Sequence, residues 1–168
     1  MTKIWFERKF TFENLEGTFP GILERITGTP LRLMHLINNV DDDMAMQKPE
    51  GKWSAKEHVG HLWDLEQLWL TRVQDFESGK ETLAEADLEN RKTHDASHNE
   101  VDINMLFQKF AQERFVLVEL LKKHEHDAED LISKHPRLQT PMRMIDLAFF
   151  IAEHDDHHMA KIRKLIGK

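Results

Sequence analysis

The chain has 168 residues, 40% of them hydrophobic, which suits one domain built on one core. Thirty acidic residues against 23 basic ones give a net charge of -7, which repels a phosphate backbone or an anionic membrane surface, so neither nucleic acid nor membrane is an expected partner. Cysteine is missing altogether, which excludes disulfides, thiolate nucleophiles and thiolate-held zinc or iron-sulfur sites; a metal would have to be held by carboxylates and by some of the 11 histidines.

The first residues, MTKIWFERKF, mix charges of both signs with apolar residues and never supply the apolar stretch of a signal peptide or a spanning helix, so a cytoplasmic protein is expected. From Ile4 to Phe12 the aromatic-rich, partly alternating pattern predicts a short extended segment or an arm laid against the rest, residues 1–18 standing apart from the helical body. Leu33, Leu36, Ile37 and Val40 then follow helical spacing. Either this helix starts with Thr29 as N-cap and Pro30 at its first position, or it starts at Phe19 and Pro20 and passes Pro30 with a kink. Asp41, Asp42 and Asp43 are expected to end it in water.

Ser54, with Glu57 three residues on, has the spacing of a capping box. A second helix is predicted from there to Glu77, with Leu62, Leu65, Trp69, Val73 and Phe76 facing the core and Ser78 and Gly79 stopping it. Residues 79–101 read as a long polar connection of the kind that is often functional or disordered. Ile103, Leu106, Phe107, Phe110, Arg114, Leu117, Leu120 and Leu121 mark a third helix up to about Lys123, and Pro136 and Pro141 punctuate the next connection. The fourth helix begins near Met142, with an inner stripe of Met144, Leu147, Ile151, His154, His158, Ile162 and Leu165. The expected fold is an all-α four-helix bundle.

His154 and His158 are four residues apart, so both side chains can reach one ion from one helix face. That spacing often joins two unrelated histidines. Here, however, both replace apolar residues on an inner stripe, where an unpaired imidazole costs free energy. His61, beside the inward Leu62 and Leu65, lies on the flank of the stripe of the second helix.

The segment Trp53-Ser54-Ala55-Lys56-Glu57-His58-Val59-Gly60-His61-Leu62, followed by Asp64 and Glu66, resembles the second-helix signature of the DinB and YfiT-like family. Glu153-His154-Asp155-Asp156-His157-His158 resembles its fourth-helix signature. The resemblance runs from about Phe19 to Ile166 and implies an up-down-down-up topology, with one divalent metal ion on His61, His154 and His158. Zinc is the first expectation; nickel, iron or manganese also suit three imidazoles. Three protein ligands leave a position open for water or substrate. The family implies a metal-dependent transferase using a low-molecular-weight thiol, or a hydrolase, acting on a small-molecule substrate; the alternative is a non-enzymatic, metal-stabilised helical module. A homodimer is left open.

Around this set, His58 is an alternative ligand or packs at the helix start, and His157 flanks the pair. Asp64, Asp155 and Asp156 are candidates to orient imidazole N–H groups, against the plainer reading of a solvated helix face. The loop Asn90-Arg91-Lys92-Thr93-His94-Asp95-Ala96-Ser97-His98-Asn99 resembles one in close relatives, making His94 and His98 candidates for a flap over the metal. Arg114, among apolar residues, calls for an anion, an internal carboxylate before a substrate one. His35, His124, His126 and His135 read as surface or loop residues.

Overall fold

The computed structural model describes Trp5, Arg8 and residues 10–49 and 51–168. In chain order its elements are α1 (Phe19–Ile37), the short α2 (Asp42–Met46), α3 (Ala55–Glu77), the short α4 (Arg91–Asp95), a 3-10 turn (His98–Glu100), α5 (Ile103–Lys122), the antiparallel strands β1 (Ile132–Lys134) and β2 (Pro141–Arg143), and α6 (Met144–Leu165). The four long helices form the bundle. Each of α1 and α3 packs against both α5 and α6.

Two apolar clusters fill the bundle, one on each side of a polar layer. The first takes Ile22 and Ile26 of α1, Trp69 and Val73 of α3, Leu117 and Leu121 of α5, and Leu147 and Ile151 of α6. The second takes Leu33 and Leu36, Val59 and Leu62, Leu106 and Phe110, and Met159 and Ile162 from the same helices. Chain direction follows directly: α1 and α6 run from the first cluster to the second, while α3 and α5 run from the second to the first. This is the up-down-down-up arrangement.

Between the clusters each long helix contributes one polar residue. The Arg114 guanidinium donates to Glu66 Oε1 at 2.6 Å and Oε2 at 3.0 Å, and to both oxygens of Asp155; the Thr29 hydroxyl donates to Asp155 Oδ2 at 2.8 Å. All four are buried. Burial pushes the Glu66 carboxyl up to about 7, with the charge of Asp155 adding to the effect and Arg114 opposing it. Arg114 therefore answers an internal pair of carboxylates.

Local chemistry accounts for the remaining boundaries. The capping box is present, Ser54 Oγ accepting from the Glu57 N–H and Glu57 accepting from the Ser54 N–H. Pro30 lies inside α1, so Thr29 is no N-cap; the Arg32 guanidinium instead donates to the Arg25 carbonyl and to the Thr29 hydroxyl, near the break in the helical ladder. Asp41, Asp42 and Asp43 open a helix rather than only ending one: Asp41 caps α2, and Asp42 pairs with the buried Lys56. Met142 belongs to β2, so α6 begins two residues later than expected.

Described residues before α1 lie against α6, with Trp5 5.2 Å from the Phe150 ring and Phe12 6.4 Å from Phe149. Ile4 and Phe6 of the predicted arm fall outside the described residues. No helix among the described residues is long and apolar enough to cross a membrane.

The polar layer yields a test. Arg114→Leu strands two carboxylates between the clusters and should destabilise the bundle by about 3–5 kcal/mol, read from urea unfolding. A loss within the range of a surface substitution would show that the layer is not a structural centre.

Candidate metal centre

His154 and His158 project from one face of α6 onto His61 of α3. A nitrogen of each ring lies within 4.8 Å of the others, and all three residues are buried. The antiparallel crossing of α3 and α6 makes this meeting possible, because it brings the first half of α3 beside the second half of α6.

Hydrogen bonds fix the presentation of these rings. The Thr93 hydroxyl donates to Asp64 Oδ2 at 2.8 Å, so its one proton is spent, and the 3.0 Å contact with His61 must be an Nδ1–H donating to Thr93. His61 is left with a free lone pair on Nε2. The Nδ1 atoms of His158 and His58 are 2.9 Å apart, one donating to the other; with His158 as the donor, its Nε2 keeps a free lone pair. His154 Nδ1 is buried without a hydrogen-bond partner.

The connection from α3 to α5 builds the outer side. Since these helices are parallel, the chain must travel back along α3, a distance of about 34 Å for its 23 residues. It does so in close contact. The Ala84 carbonyl accepts from Arg72, Thr93 reaches Asp64, and Asn99 meets Ser54 at the start of α3. His98 Nε2 donates to Asp64 Oδ2 at 2.8 Å, and its ring lies so close to Gly60 that a Cβ there would come within 2.3 Å. A glycine in mid-helix is explained by this approach.

The cluster forms part of the wall of a cleft of about 1420 Å³. Trp53 covers it from one side, 4.7 Å from the His61 ring and 6.2 Å from His158; Trp5 lies 5.0 Å from His154. His157 also lines the cleft, 5.2 Å from Trp5.

Several candidates take other roles than those first considered. Asp155 orients no imidazole: it lies one position, about 100°, around the helix from His154 and faces Arg114. Asp156 pairs with Arg25 and Arg32 on the outer face. Arg114 is enclosed with its carboxylates and lies outside the cleft. His94 is exposed, 5.7 Å from Trp53, and does not join the three histidines. His135, read as a surface or loop residue, lies in the β1–β2 loop and is half-buried in the cleft wall. Thr93 and the covering role of Trp53 were missed; a lone threonine in a polar loop carries no periodic signal.

Electrostatics follow burial. Desolvation lowers His58 to about 3 and His61 to about 4, and takes His154 and His158 well below the usual histidine value, the neighbouring imidazoles adding to it. His157 is lowered to about 4 by burial and by Lys161. At neutral pH all five present neutral rings. Burial alone would raise Asp64, but hydrogen bonds from His98 and Thr93 outweigh it and hold the carboxyl below its ordinary value.

The sequence pattern of the DinB superfamily matches residues 25–162. Among solved structures, this chain is similar to YfiT from Bacillus subtilis, a probable metal-dependent hydrolase with an unusual four-helix bundle topology. The TM-score is 0.82 at 16% identity, over 95% of this chain and 91% of that one. No curated protein sequence matches.

The depressed imidazoles set a pH dependence for the metal-free protein. Their folded values lie below the unfolded value of 6.5, so their contribution is complete above that pH and is lost as pH falls toward 4. Glu66, held up at about 7, works in the opposite direction as a single group against five. Urea midpoints of chelator-treated protein should therefore fall between about pH 6.5 and 4.5, before most carboxylates titrate. A flat profile across that window would show that these rings are not buried neutral.

Proposed function

The chain belongs to the DinB superfamily, and on that premise we propose that it is a metal-dependent enzyme in which His61, His154 and His158 hold one divalent ion, zinc by preference, facing a small-molecule cleft. The observation that carries this reading is the meeting of three buried neutral imidazoles in the cleft wall, with no fourth histidine or carboxylate in the group among the described residues. The residues fit an ion. His61 keeps Nε2 free because its Nδ1 donates to Thr93, His158 does so when its Nδ1 donates to His58, and His154 carries a buried nitrogen without a partner. A bound ion supplies Lewis acidity toward a water or a thiol that reaches its open position.

The chain's own residues divide the rest of the work. Thr93 and Asp64 hold the His61 ring in its Nδ1–H form, and His58 holds His158. Trp53, Trp5 and Trp69 narrow access of water to the rings from three directions. Pockets for one small ligand run to about 300–1,000 Å³. A cleft of about 1420 Å³ has room for two molecules. That size favours transfer between a low-molecular-weight thiol and an acceptor over simple hydrolysis, the activity suggested for the similar YfiT.

Elemental analysis of protein purified without a metal-affinity column should find one divalent ion per chain. Alanine at His61, His154 or His158 should remove it, whereas His58→Ala should still load one equivalent. Retained stoichiometry in the three ligand variants would end the assignment. The cobalt-loaded protein should change its visible spectrum on addition of azide or a small thiol. A spectrum indifferent to both, with helicity lost on chelation, would instead mark the ion as a staple between α3 and α6.

The loop threonine supplies a separate test. Thr93→Val keeps the shape of the side chain but removes the link from His61 to Asp64, and should weaken metal affinity roughly 10- to 100-fold in a chelator competition. Unchanged affinity would mean that the His61 ring is fixed by packing alone.

A further inference from the structure

Arg72 is 3% exposed, yet no described carboxylate pairs with it. Its Nε donates to the Ala84 carbonyl at 2.9 Å, and the two terminal nitrogens donate to no described acceptor. The nearest candidate acid, Asp75, is committed: one oxygen takes Lys80 at 2.9 Å and the other the Ala84 N–H at 2.7 Å. Asp87, in the same cleft wall, accepts from the N–H groups of Glu89 and Arg91, and Glu85 is exposed. Burial lowers Arg72 to about 10, the charge of Asp75 opposing it only in part. Every other described guanidinium that is as deeply buried is paired: Arg114 has two carboxylates.

The place of Arg72 gives this vacancy a direction. It follows His61 on α3 by 11 residues, three turns, so both sit on nearly the same helix face about 16 Å apart. Leu65, Leu68 and Trp69 lie between them in the cleft wall, and the Arg72 guanidinium is 5.7 Å from the Trp69 ring. Arg137 and His135 line the same end, and the charges of Arg72 and Arg137 help to keep His135 low after burial has lowered it. On a chain of net charge -7, two guanidiniums, Arg72 and Arg137, stand at this end of the cleft, with the exposed carboxylates of Glu85 and Asp87 in the same wall.

We propose that Arg72 is an anion subsite at the far end of the cleft, receiving the carboxylate of an elongated ligand whose apolar middle lies on Leu65, Leu68 and Trp69 and whose other end meets the three histidines. A monoanion matches one buried positive charge, and the two free Nη groups match the two oxygens of a carboxylate. The inference deepens the enzymatic reading and rests on it for the reactive end only. Carboxylate binding itself needs no ion.

Dodecanoate and dodecanol differ in the head group alone, and their chain spans most of the distance from Arg72 toward His61. Calorimetric titration of the protein as purified should show dodecanoate binding roughly 10- to 100-fold more tightly than dodecanol, the range for a hydrogen bond to a charged group. Arg72→Gln should erase that preference, and Arg72→Lys should keep part of it. His154→Ala should leave it intact, so that loss of metal and loss of the anion subsite are separable. Equal affinity for the two probes in the unaltered protein would overturn the proposal without any variant, and so would a preference that survives Arg72→Gln in a folded protein.

Discussion

One guanidinium organises this bundle. Arg114 of α5 holds Glu66 of α3 and Asp155 of α6, and Asp155 in turn takes the Thr29 hydroxyl of α1, so each long helix is tied to one layer. The apolar clusters on either side supply nonspecific attraction and would tolerate small rotations of the helices. The ionic layer does not, because a buried carboxylate turned away from its partner is left uncompensated. With Asp155 fixed toward Arg114, the geometry of α6 carries His154 and His158 toward α3. The rotation that satisfies the layer is the rotation that assembles the histidines.

Topology explains the second half of the site. Parallel neighbours cannot be joined by a short turn, so the chain leaving α3 has to return along the bundle before α5 can begin. Proteins often leave such a return loose on the surface; here it is pinned at both ends and in the middle. Ala84 meets Arg72, His98 fits against Gly60, and Asn99 meets Ser54. A segment held this firmly can supply a positioning hydroxyl from Thr93, which a mobile loop would not do reproducibly.

The sequence showed those features that repeat with a helical period and those that cap a helix. The stripes of α3, α5 and α6 and the Ser54 capping box could be read because each rests on residues three or four positions apart. His154 and His158 stood out because they interrupt an apolar stripe, and the family resemblance added His61 and the up-down-down-up order. Features made by chain contact over long separations were hidden. The strand pair is three residues long on each side, too short for alternation to register, and α2 and α4 are five-residue helices. Thr93 reaches a histidine 32 positions away. Asp155 read as a carboxylate for an imidazole or as part of a solvated face, and only the packing of α5 against α3 and α6 gives it to the Arg114 guanidinium. Gly60, where the His98 ring presses on α3, carried no signal of its own in the sequence.

The burial of polar groups along α3 separates structure from function. His58, His61, Asp64, Glu66, Arg72 and Asp75 are all buried on this one helix, an expensive arrangement unless each finds a partner. Glu66 has Arg114, Asp64 has Thr93 and His98, Asp75 has Lys80 and a backbone N–H, and His58 has His158. These are satisfied within the protein and serve the fold or hold other side chains. Toward the cleft, His61 keeps a free ring nitrogen and Arg72 keeps its terminal N–H groups. They lie three turns apart on the face that lines the cleft, separated by apolar side chains. A helix that had only to pack would not spend buried polar residues at these two positions and leave both unfinished. On the proposed reading, a ligand in the cleft would complete the bonds at its two ends.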